Sequence, residues 1–356
     1  MTFSQDDLSP ILDKVSGNQR ITMDEGLALY DRADLLTLGR LADQRRFLLH
    51  PEKMVTFVVD RNINYTDICC SGCRFCAFYK TPDSDDGYVI SKQVLFDKIQ
   101  ETLDLGGTQI LLQGGMNPAL SMDYYLDLLR SIKERFPIHI HGFSPPEIAY
   151  MADRSGMTLK ETIALLKDAG LGSIPGGGAE ILCDEIRKIV SPGKCSTDVW
   201  LDVMRQAHGL GLRSSATMMF GHLEEPRHIL EHLRRIRDLQ EETHGFTAFI
   251  PWTFQPDNTR IAVEKTGAAT YLRVLALSRL FLDNIDNVQA SWVTQGDKIA
   301  QTALFFGAND MGSTMIEENV VASAGVHFML PESELRRLIE TAGFTPRQRD
   351  CFYNLR

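Results

Sequence analysis

From about residue 50 onward the chain repeats one unit: a short run rich in β-branched or aromatic residues, a polar or glycine-rich turn, then an amphipathic helix. The strand candidates are 55–59, 108–113, 138–143, 172–175, 214–220, 247–252, 288–292 and 310–314. The helical stretches between them space apolar residues three and four apart, as in Ile229, Leu233 and Ile236. Strands that alternate with helices pair in parallel through right-handed crossovers. Eight such units predict a closed parallel (β/α)8 barrel. An open doubly wound sheet is the runner-up, weakened because no Gly-x-Gly-x-x-Gly opens a helix after the first strand. Residues 1–50 read as an N-terminal helical extension against the bottom or side of a barrel that occupies residues 51–356.

Bulk properties remove several classes of function. The chain has 356 residues, 44% of them hydrophobic, and a formal charge of −10. With no basic stripe to neutralise phosphates, nucleic acid is not the expected partner. No apolar run reaches the roughly 18 residues of a membrane span, and Met1–Asp7 lacks the charged and apolar regions of a signal peptide. Seven cysteines, an odd number, argue for reduced thiols and a cytoplasmic location.

Three of those cysteines lie close together. Cys69, Cys73 and Cys76 are spaced C-x3-C-x2-C, while Cys183, Cys195 and Cys351 are scattered singly. Three thiolates can hold three irons of a [4Fe–4S] cube and leave the fourth iron open to a small molecule. A structural zinc site would want a fourth ligand nearby, usually from a second C-x-x-C pair, and none is present. Cys70, Cys73 and Cys76 form an alternative triad, but the aromatic Phe75 just before the last cysteine favours the first reading.

With Phe75 in place, this motif resembles that of the radical S-adenosylmethionine (radical SAM) superfamily. The resemblance sharpens over Asn62–Thr66, Cys76–Tyr79 and Gly106–Gly115, and again over His141–Glu147, Phe249–Pro256 and Gln289–Val293. These stretches are similar to the group that contains the menaquinone-pathway futalosine enzymes and the deazaflavin cofactor synthases. The similarity runs from about residue 20 to residue 356. It implies an oxidoreductase that uses a [4Fe–4S] cluster and S-adenosyl-L-methionine, a small-molecule substrate, and an electron donor such as flavodoxin or ferredoxin. A non-catalytic iron–sulfur carrier is the alternative from a different class.

In a barrel of this kind the active site lies where the strands end, and the unusual residues of the chain collect there. The resemblance implies that Cys69, Cys73 and Cys76 hold the cluster, and that Phe75, Gln113, Gly114, Gly115, Ser144 and Glu180 contact SAM. A Gly-Gly turn lets backbone carbonyls approach an ammonium, and a carboxylate such as Glu180 can accept from both hydroxyls of a ribose; an ordinary βα turn and a helix-dipole partner are the plainer readings of the same residues. His139 and His141, two apart on one strand, share a face. Together with Glu147 they are the candidates for a catalytic base. Trp252, Phe254 and Trp292 read either as an aromatic wall for a flat substrate or as core.

Overall fold

A computed structural model of the protein describes residues 8–326 and 330–356. Met1–Asp7 and His327 therefore lie outside the described residues. The strands are β1 (Met54–Val58), β2 (Asp60–Asn64), β3 (Gln109–Gln113), β4 (His139–Gly142), β5 (Ser173–Ile174), β6 (Arg213–Phe220), β7 (Phe246–Thr253), β8 (Asp310–Ser313) and β9 (Thr345–Gln348). They form a six-stranded sheet in the order β2-β3-β4-β5-β6-β7 and a three-stranded sheet in the order β8-β1-β9. Every ladder between them is parallel. Single parallel bridges, Phe249–Val288 and Gln289–Asp310, lead from β7 towards β8. The result is a curled parallel sheet with helices outside and the C-terminal strand ends gathered at one rim.

Most of these strands follow from their composition, but β2 does not. Its sequence, Asp-Arg-Asn-Ile-Asn, has low strand propensity, yet all five residues are buried. The two-residue period of a strand explains this. Asp60 and Asn62 line an interior cavity, while Arg61 turns outward and donates to Glu101 at 2.6 Å on the helix Lys92–Asp104. The expected first strand is thus two strands parted by Val59, and the cysteine loop follows the second.

Two further expectations need correction. The run 288–292 supplies only the two bridges, because Trp292 opens a helical turn, Trp292–Gln295. The segment near the C-terminus adds an unforeseen strand: β9 pairs with β1 from Met54–Thr345 to Phe57–Gln348. After β9 the tail folds back beneath the strands. Arg349 makes a two-pronged ion pair with Asp310, at 2.6 and 2.9 Å, and the Phe352 ring meets the His139 ring edge-on at 5.0 Å.

The N-terminal helices Met23–Arg32 and Leu35–Leu49 pack on the side, against Pro226–Thr243 and Ala268–Phe281. Thr22 and Glu25 close a capping box at the start of the first. Arg273 donates to the carbonyls of Tyr30 and Ala33, at 2.9 and 2.7 Å, which ties down its end. Gly26 permits the contact, since a Cβ there would come within 2.6 Å of Leu230.

Burial leaves a pH signature. It pushes His141 and His232 down to about 3, and His139 and His208 down to about 4. These rings are neutral when folded and take up protons near pH 6.5 when unfolded. The unfolded chain then binds more protons, so stability is complete above pH 6.5 and falls as the pH drops towards 4. For fully buried His232 the slope reaches about 1.4 kcal/mol per pH unit. Denaturant midpoints at pH 7.5, 6 and 5 are expected to decline in that order; a flat profile would contradict the assignment of neutral buried rings.

Candidate active site

The cysteine loop leaves β2 and lies across the end of β3. Cys69 and Cys73 are buried, Cys76 is half-buried and Cys70 is exposed. The Ser71 hydroxyl sits 3.0 Å from the Cys69 sulfur and 3.3 Å from that of Cys73. The Met116 amide donates to the Cys69 sulfur at 3.3 Å. Such donors would stabilise thiolates, yet burial pushes the Cys73 thiol up to about 11 and raises that of Cys76. Thiolates in this loop therefore call for a strong positive partner, which iron would supply.

Two glycines make room for the loop. A Cβ on Gly114 would lie 2.6 Å from the Tyr65 ring, and one on Gly115 would collide with the Ile68 carbonyl and come within 2.8 Å of the Cys69 Cβ. The Gln113–Gly115 turn is thus needed to seat the cluster loop, whatever else it binds.

Two cations act on the same loop. Arg260 donates to the carbonyls of Gly72 and Cys73, at 2.6 and 3.2 Å, and to the Tyr79 hydroxyl at 2.9 Å. Lys194 lies with its Nζ 4.9 Å over the Phe75 ring and 2.9 Å from Glu180. Burial opposes its charge, but Cys73 and Glu180 outweigh this and hold its pKa above the ordinary lysine value. The sequence reading missed both cations, because each reaches the loop from far along the chain. The only local hint is that Lys194 follows a Pro-Gly turn.

Glu180, 5% exposed, is held between Lys194 and Arg187, the latter at 3.4 Å. Its backbone is left-handed, with φ of 40°. That conformation is costly for a side chain this size, and Glu180 is also on the cavity wall.

The cavity has a volume of about 290 Å³ and runs from Glu180 and Gly178 at the rim to Tyr353 of the tail. Gln113, His141, Trp252 and Trp292 line it. The other predicted residues stand elsewhere. His139, the first residue of β4, lies at the far end from the rim, where it shares the Ser173 hydroxyl with His141, each at 2.7 Å. Strand direction decides this: two residues earlier on a parallel strand is one layer lower. Glu147 is not on the wall either. Its carboxylate accepts from the Tyr65 hydroxyl, the Gly114 amide, and the Ser144 amide and hydroxyl, at 2.5–3.0 Å. With both oxygens engaged it fastens the turns after β3 and β4. The Ser144 hydroxyl is spent on that bond. Of the three base candidates, only His141 faces the cavity.

The three loop cysteines do not converge on a single-ion site. Among the described residues the close triple is Cys183, Glu185 and His228, on outer helices. There the Glu225 amide donates to His228 Nδ1 at 2.9 Å, which leaves the ring proton on Nε2 facing Glu185, and Arg227 already spans that carboxylate. The carboxylate is thus held in an ion pair with Arg227 and a hydrogen bond from the His228 ring.

Comparison with known proteins decides the family. Residues 63–236 match the model of the radical SAM superfamily, and residues 243–356 match the CofH/MqnC C-terminal region. The cyclic dehypoxanthine futalosine synthase of Halalkalibacterium halodurans is 46% identical over 97% of this chain and 94% of its own. The chain belongs to the radical SAM superfamily. This radical SAM protein is also 43% identical to the enzyme of the same name from Streptomyces coelicolor, over 98% of this chain and 88% of that one. A 5-amino-6-(D-ribitylamino)uracil–L-tyrosine 4-hydroxyphenyl transferase of Methanopyrus kandleri follows at 40%, over 96% and 97%. The fold agrees with that of methylornithine synthase, with a TM-score of 0.71 at 17% identity over 94% of this chain and 97% of that one. Membership makes the protein an enzyme whose cofactors are a [4Fe–4S] cluster and SAM. The cysteine loop, with its buried thiols and the glycines that seat it, fits that cluster.

Proposed function

We propose that the protein is a cyclic dehypoxanthine futalosine synthase of menaquinone biosynthesis. The C4′ hydrogen atom of dehypoxanthine futalosine goes to the 5′-deoxyadenosyl radical, and C4′ joins the benzoate ring. The ring then gives up one proton and one electron, which the oxidised cluster would accept, so the product is two hydrogens lighter. The observation that carries this reading is the 46% identity over 97% of the chain to a relative of that name. When bound, the cluster and SAM supply the 5′-deoxyadenosyl radical. Cys69, Cys73 and Cys76 hold the iron, Lys194 and Arg260 brace their loop, and Glu180, the Gln113–Gly115 turn, Phe75 and Ser144 border the SAM side. His141, the base candidate on the cavity wall, takes the proton that the ring loses, with Ser173 holding its Nδ1; burial disfavours the charged ring, so the return of aromaticity must drive the transfer. The curled wall around the cavity confines the radical and the bond it attacks to one geometry, which limits side reactions. In this reading the bridges at Val288 and Gln289 and the short link between β1 and β2 make the two sheets one closed barrel. The protein works in a reducing cytoplasm with a flavodoxin or ferredoxin as electron donor.

The 40% identity to the tyrosine hydroxyphenyl transferase favours a second reading, as a deazaflavin-cofactor synthase. An aminofutalosine synthase is disfavoured by the Ser144-Pro145-Pro146 turn. Offering cluster-loaded protein each substrate set in turn, under anaerobic reduction with SAM, separates them. Consumption of dehypoxanthine futalosine alone is expected; consumption of tyrosine with the ribitylaminouracil would transfer the assignment.

A further inference from the structure

The lower half of the cavity carries polar atoms that the fold itself does not use. Asn62 and Gln109 are only 5% and 4% exposed, and their side-chain carbonyl oxygens are buried with no hydrogen-bond partner among the described residues. Both residues line the cavity, from β2 and β3. The Gln109 amide nitrogen is committed to Asp60 at 2.7 Å, which leaves the oxygen facing inward. At the floor the Tyr353 hydroxyl is likewise buried, unpartnered and on the cavity wall.

Tyr353 is placed there at a cost. Its backbone is left-handed, with φ of 67°, a region disfavoured for a bulky side chain. Asp350 accepts from the amides of Phe352 and Asn354, at 2.8 and 3.0 Å, and so forms the turn. The Arg349 guanidinium packs 4.0 Å from the ring centroid and fixes its aim. Buried polar atoms without partners are expensive, so a turn and two strands that hold two carbonyl acceptors and one hydroxyl on one cavity point to a ligand that supplies the missing bonds.

The chemistry of that ligand follows from the signs. Two carbonyl acceptors call for hydroxyl donors. A carboxylate here would face Asp60 and Asp310, and Arg349 is already engaged by Asp310 through both prongs. We infer that Asn62, Gln109 and Tyr353 form a subsite for the sugar hydroxyls of the substrate. This inference rests on the functional reading above and orients its substrate: the sugar hydroxyls point down the barrel, and C4′ faces the rim that Glu180 and Gln113 line.

The test uses Asn62→Ala and Tyr353→Phe in the cluster-loaded, full-length protein; the phenylalanine keeps the ring over Arg349. The KM for dehypoxanthine futalosine is expected to rise about three- to tenfold in each, the effect of one hydrogen bond, with kcat falling less and iron content matching wild type. Relative to the parent substrate, the 2-deoxyribose analogue should lose less affinity in at least one variant than in wild type. An unchanged KM in both variants, or an analogue penalty identical in all three proteins, overturns the subsite while the functional reading stands. Loss of iron or of thermal stability in both variants assigns these side chains to folding and also overturns it. A wild type that neither binds nor converts dehypoxanthine futalosine overturns the functional reading, and the subsite with it.

Discussion

Alanine in place of any one of Cys69, Cys73 or Cys76 is expected to reduce 5′-deoxyadenosine formation by more than about a hundredfold and to lower bound iron, because each thiolate is the protein's hold on one iron of the cube. Alanine at Cys70 should leave both nearly intact. Cys70 is exposed, whereas Cys69 and Cys73 are buried against the Ser71 hydroxyl. The contrast separates the two triads that the spacing alone permits. Anaerobic reconstitution, iron assay and chromatography of the nucleoside product measure it. A Cys70 variant without cluster, beside a Cys69 variant that keeps one, would reverse the ligand assignment.

The second large effect concerns the tail. Asp310 has no side-chain exposure and Arg349 only 6%. The carboxylate also accepts from the Thr56 hydroxyl at 2.5 Å and the Gly312 amide at 2.8 Å. Removing one partner of a buried ion pair leaves the other charge uncompensated, which costs about 3–5 kcal/mol. Asp310→Ala is therefore expected to destabilise the protein by that amount in urea unfolding. Because Arg349 anchors the segment that floors the cavity, the KM for substrate should rise as well. A loss below about 1 kcal/mol would mean that the pair is solvated and that the tail is held by β9 alone.

The sequence made some of this architecture plain and hid the rest for definable reasons. Strands β3, β6 and β7 carry largely buried apolar, aromatic or β-branched stretches, such as residues 110–112, 216–220 and 246–250, and such runs announce themselves. β2 presents Asp60 and Asn62 to a polar cavity, so the feature that suits it to a site disguises it as a loop. β9, with a proline and an arginine, lies beside only one partner strand and carries little strand signal. The cysteine loop was legible because its ligands are contiguous. Lys194 and Arg260 were not, since they reach that loop from distant parts of the chain, and neither was Tyr353, which reaches the cavity from the tail. The histidine pair was half legible: the two-residue period put both rings on one face, but only the direction of β4 places His141 at the cavity and His139 beneath it. Glu147 looked like a base because it is an acid at a strand end. Its four donors identify it as a clamp.

The most direct test of the proposed reaction is the fate of one hydrogen. Cluster-loaded protein, reductant and SAM would be incubated anaerobically with dehypoxanthine futalosine deuterated at C4′, and the products read by mass spectrometry. The account predicts one deuterium in 5′-deoxyadenosine, together with a cyclised product that has lost that deuterium and one ring hydrogen. Unlabelled 5′-deoxyadenosine beside unconsumed substrate would contradict it.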